Sequence, residues 1–175
     1  MASASQGAAK GMPAEAFRRH VANMFDLSYD GSPHTWHQNG HVGASCLAYA
    51  LLGVPAFLAT GHYWFCGVMV VTSALSFLAD YVHVENPSHI VHAIDRGMAW
   101  VSVTCLSYAS MFILGLGLPY SAFALTVAAA LFLLSRSSTH PKQWALFHSM
   151  WHWVPLLLLF MPKLVDAAGV AFHDA

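Results

Sequence analysis

Five apolar runs, at residues 42–60, 62–84, 97–116, 119–135 and 144–161, take up most of this 175-residue chain. Each approaches the roughly 20 residues that carry a helix across about 30 Å of hydrocarbon at 1.5 Å per residue. Only 9% of the residues are charged and 57% are hydrophobic, where a soluble domain carries roughly a quarter charged. The expected fold is therefore all-α: an integral membrane bundle of about five transmembrane helices. Residues 1–41 form an N-terminal segment, 42–162 the bundle and 163–175 a short tail. A net charge of −1 offers no basic stripe, which sets nucleic-acid binding aside.

The first 25 residues contain no apolar run long enough for a signal core, so the N-terminus is expected to be retained. Over 13–25, Phe17, Val21 and Phe25 recur four apart beside Arg18 and Arg19, with Pro13 in the first turn. That pattern predicts a short amphipathic helix lying on an anionic leaflet. Asp26 to His41 is rich in turn formers and reads as a solvated loop, with His34, His37 and His41 in it. Cys46, Cys66 and Cys105 fall in the apolar runs without metal-type spacing and read as packing residues, not as a disulfide framework.

The basic residues are Lys10, Arg18, Arg19, Arg96, Arg136, Lys142 and Lys163. With a cytoplasmic N-terminus and alternating helices, all but Lys163 lie at or near the cytoplasmic side. The bias predicts a multi-pass protein with its N-terminus inside and its C-terminus opposite.

That topology sets the depth of the polar residues. Ser73, Ser76, Asp80 and His83 share a face near the cytoplasmic end of the second helix, spaced by three, four and seven. His92 and Asp95 open the third, and His148 lies about two turns into the fifth. An Asp at a helix centre costs about 3 kcal/mol and less toward the interface, so such residues usually face inward with a partner. One account pairs Asp80 or Asp95 with Arg96 and lets His148 and His152 donate to backbone carbonyls. The other is a metal site: His at i and i+4 reaches one ion, and a carboxylate from another helix is a usual third ligand. Pro155 removes the bond to the Trp151 carbonyl and loosens the helix beside the pair.

In chain order these residues are Ser76 and Asp80, then Asp95, then His148 and His152. The pattern resembles the CREST superfamily of membrane hydrolases, which includes alkaline ceramidases and the progestin and adipoQ receptors. There a Ser-x-x-x-His, an Asp and a His-x-x-x-His surround zinc in a helical bundle, and known members hydrolyse ceramide-type amides. The resemblance covers residues 70–96 and 144–155. This chain has Asp80 where the family has its first zinc-binding His, with His83 one turn on as a substitute, and it has five spans against seven.

The resemblance implies zinc on His148, His152 and either Asp80 or His83. It further implies a lipid amide or ester as substrate, Asp95 as the proton carrier and Ser76 as donor to the developing oxyanion. Two other classes stay open. A single imidazole on an apolar face suits haem or chlorophyll in a subunit of a bioenergetic complex, and zinc can also hold helices together without turnover. Membrane lipids, other membrane subunits or a second copy of the chain are the expected partners, the last two because small-residue faces allow close helix packing.

Overall fold

The computed structural model describes residues 36–86 and 90–167. The amphipathic helix expected over 13–25, and His34, lie outside them. Five helices make up the described residues: α1 (Gly40–Ala59), α2 (Tyr63–Val82), α3 (Ile90–Phe112), α4 (Leu118–Arg136) and α5 (Pro141–Ala167). No strand occurs among the described residues. By length and composition α1, α2, α4 and α5 can each cross a membrane. The third helix starts earlier than its apolar run, so its first turns carry His92, Asp95 and Arg96. The fifth continues to Ala167, past the expected start of the tail.

Local chemistry sets the ends. Asn39 caps α1, its side-chain oxygen accepting from the His41 and Val42 amides at 2.9 and 3.4 Å, as expected of an N-cap Asn. His41 thus belongs to the first helical turn, not to the loop. Gly61, Gly115 and Gly117 have positive φ of 73°, 65° and 75° and turn the chain after α1 and before α4, a backbone region that favours glycine.

The helices run up and down, so α1, α3 and α5 begin at the end where α2 and α4 finish. α1 packs extensively against both α2 and α5, α4 lies along α5, and α3 leans on α2 and more lightly on α4. A core of Phe57, Phe65, Met69, Leu156, Leu159 and Phe160 fills the half of the bundle away from that shared end. Polar residues are buried elsewhere in the bundle, among them Ser45, Ser73, Ser76, Ser102 and His152, while Leu51, Trp64, Ile94, Phe112 and Phe123 face outward. That inversion suits a lipid solvent, in which small hydroxyl residues bond across close-packed helices. Thr72 and Ser102 do so at 2.6 Å, joining α2 to α3.

Two segments widen to π turns, Tyr49–Gly53 in α1 and Leu78–Val82 at the end of α2. Such insertions shift the register of everything after them and recur at functional sites. The proline in α5 that leaves a visible mark is Pro162: it denies the Leu158 carbonyl its helical amide, and Tyr120 Oη from α4 donates to that carbonyl at 2.9 Å. The helix passes without interruption through Pro155.

Candidate metal centre

Ionisable and hydroxyl side chains from all five helices collect at the shared end. Asp80 sits inside the π turn of α2. Its Oδ2 lies 3.0 Å from His148 Nε2 and 3.7 Å from His152 Nε2. The two imidazoles, one turn apart on α5, meet edge to face with ring centroids 4.9 Å apart. Asp80 thus faces both imidazoles of the expected pair, of which only His152 belongs, among the described residues, to a set of three mutually close donors.

Each ring is held from its other nitrogen. His152 Nδ1 is 2.9 Å from Ser45 Oγ of α1, and His148 Nδ1 is 3.0 Å from Ser135 Oγ of α4. These partners are serine hydroxyls, not the backbone carbonyls that a purely structural account of the histidines expects. Ser45 Oγ donates its one proton to the Val42 carbonyl at 2.7 Å. With that proton on Val42, it accepts from His152, the proton sits on Nδ1 and the Nε2 lone pair faces Asp80. His148 Nε2 is buried 3.0 Å from Asp80 Oδ2, the contact of an ion pair when the ring is protonated.

Cys46 was expected only to pack. Its Sγ, a carboxylate oxygen of Asp80 and a ring nitrogen of His152 all lie within 4.8 Å of one another. A Cys/Asp/His set at that spacing can hold a metal ion. Nothing in the spacing of Cys46 relative to Asp80 or His152 signals this, since the three come together only by packing of α1 against α2 and α5.

Asp95, on the second turn of α3, accepts at Oδ1 from Ser76 Oγ at 2.9 Å. Ser76 lies one turn before Asp80 on α2, so the carboxylates are neighbours linked through that helix. His83 follows the π turn with φ −108° and ψ 15°, out of the helix. The face predicted from α-helical spacing does not extend to it, and it is not one of the three mutually close donors. Its carbonyl instead accepts from His92 Nε2 at 3.0 Å. Arg96 Nε donates to the His92 carbonyl at 3.1 Å.

Aromatic rings cover the cluster toward the end of the bundle. Trp36 stacks on Trp144 with centroids 5.1 Å apart, and Trp144 lies 5.2 Å from His148. His37 Nδ1, beside Trp36, is 3.1 Å from Glu85 Oε1, and both side chains are well exposed. No family model, curated protein or solved structure matches this chain.

Proposed function

We propose that the chain is a multi-pass membrane protein in which Asp80, His148 and His152 hold a divalent metal ion, and that this centre hydrolyses a lipid amide or ester. The observation that carries the metal is the arrangement around Asp80 Oδ2. Ring nitrogens of His148 and His152 both face one carboxylate oxygen of Asp80, inside the bundle. Two imidazoles turned toward one carboxylate oxygen can share a divalent cation with it. The donor set of imidazole and carboxylate suits zinc.

Zinc supplies Lewis acidity, lowering the pKa of a water to roughly 7 and polarising a carbonyl. The residues of this chain supply the proton traffic. Asp95 Oδ1 is occupied by Ser76 Oγ, so the other carboxylate oxygen is the one placed to take a proton from the attacking water and deliver it to the leaving group. Ser76 spends its proton on Asp95 and orients that carboxylate, which leaves it no second proton for an oxyanion. The similarity to alkaline ceramidases in residue order supports this reading. Asp80 in the place of the family's His replaces a neutral ligand by an anionic one and lowers the charge of the site.

Haem or chlorophyll is less well served, because axial ligation needs an imidazole nitrogen with an open face and both Nε2 atoms face Asp80. A structural metal without turnover is the second reading, favoured by the near-complete burial of His152. Metal analysis of purified protein, with hydrolysis assays on ceramide-type amides and on esters, separates these readings. Stoichiometric zinc lost in a His148→Ala/His152→Ala double variant, together with turnover, supports the hydrolase. Zinc without turnover on any lipid supports the structural centre. Absent zinc, or binding unchanged in the double variant, removes the metal.

A further inference from the structure

We propose that Cys46 is a thiolate ligand of the same centre, which makes its ion a borderline-soft one of the zinc or cobalt kind, not magnesium or calcium. The proposal rests on the metal reading above and adds a ligand from α1; with Asp80, His148 and His152 it fills four positions, the closed set of a structural zinc centre, and so favours the second of the two readings above over hydrolysis.

Position comes first. Cys46 is fully buried, and its sulfur stands within 4.8 Å of both an Asp80 oxygen and a His152 nitrogen. Ligand atoms around tetrahedral zinc stand about 3.3 to 3.6 Å apart, given bonds of about 2.3 Å to sulfur and about 2.0 to 2.1 Å to nitrogen or oxygen. Binding an ion would draw these side chains toward a common point, on a backbone held from two sides. The Cys46 carbonyl accepts from Ser73 Oγ of α2 at 2.8 Å, and the preceding residue, Ser45, holds His152 of α5.

The thiol also gives up little hydrogen bonding on binding an ion. Its present partner is the Val42 carbonyl at 3.3 Å, the same oxygen that already accepts from Ser45 Oγ. A thiol is a weak donor, so losing this contact forfeits little. On binding, the S–H bond breaks, the proton leaves to solvent and the sulfur lone pair forms the bond to the ion; no electron is transferred.

A thiolate decides the metal class, since thiolates favour zinc-like ions while magnesium and calcium take oxygen ligands.

The test uses the full chain in detergent, stripped of metal and loaded with cobalt(II). Wild-type protein is expected to show thiolate-to-cobalt charge-transfer absorption in the near ultraviolet, and millimolar magnesium or calcium is expected to leave it unchanged. Cys46→Ser is expected to lose the absorption and to bind cobalt at least about tenfold more weakly, while Cys66→Ser and Cys105→Ser keep both. The wild-type spectrum stands even if Cys46→Ser folds poorly. Cobalt bound without that absorption, or absorption that survives in Cys46→Ser, overturns the thiolate ligand and leaves the metal reading intact. A wild-type chain that binds neither cobalt nor zinc overturns both.

Discussion

Ser45 Oγ lies 2.9 Å from His152 Nδ1 and 2.7 Å from the Val42 carbonyl, and the second contact decides the first. A hydroxyl has one proton. With that proton on Val42, the serine accepts from the imidazole and fixes which nitrogen faces Asp80. Ser45 thereby sets which nitrogen of His152 is free for the proposed ion.

Ser45→Ala is expected to keep the fold and to weaken zinc binding by roughly 10- to 100-fold, the usual cost of removing the partner that orients a ligating histidine. Competition with a chromophoric chelator measures it. An affinity equal to wild type would show that the hydroxyl does not govern His152.

The two aspartates are expected to separate cleanly. Asp80→Asn removes the charge that both imidazoles face and should abolish stoichiometric zinc. Asp95→Asn keeps an oxygen for Ser76 and should leave zinc content unchanged while hydrolysis falls by roughly 10²- to 10⁴-fold. Metal analysis and turnover on the same preparations check this, and loss of zinc in Asp95→Asn would place that residue among the ligands.

Tyr120→Phe leaves the Leu158 carbonyl, already deprived of its helical amide by Pro162, without its donor. The expected loss is about 1 kcal/mol. In a Pro162→Ala background the helix can make that bond itself, so the same change should cost little. Thermal unfolding of the four proteins in detergent gives the cycle, and equal losses in both backgrounds would sink the explanation.

Gly43 marks the close approach of α1 to the end of α2. A Cβ there would meet the Tyr81 ring at 2.8 Å, and a ring carbon near its root cannot swing aside as a flexible chain end does. Gly43→Ala should cost about 1–3 kcal/mol through overpacking and should weaken zinc binding, because Tyr81 adjoins Asp80 in the π turn. Gly67→Ala, with open space around its Cβ, is the control: past the first turn of α2 it should be neutral or stabilising. Equal melting temperatures for Gly43→Ala and wild type would show that the ring yields.

The helices were legible in the sequence because hydrophobic run length and turn residues are local signals. So was the order of Ser76, Asp80, Asp95, His148 and His152. Alternation of the helices was enough to bring these residues to one end of the bundle, where Ser76 meets Asp95 and Asp80 meets His148. His83 shows where local reasoning stops. Its expected place on the Asp80 face assumed unbroken α-helical spacing, and the π turn at Leu78–Val82 removes that spacing.

Cys46 and Ser45 mark the other boundary. Ser45 and His152 are 107 residues apart, and whether they touch depends on the rotation and depth at which α1 packs on α5. No periodicity within either helix records that rotation. By itself the sequence determined a helical membrane protein with acidic and imidazole groups near one end, since insertion and helix formation depend on residues close together in the chain. Only the tertiary structure decided that a serine and a cysteine of α1 join them, because lateral packing between helices is set by side-chain fit across interfaces that the chain order does not encode.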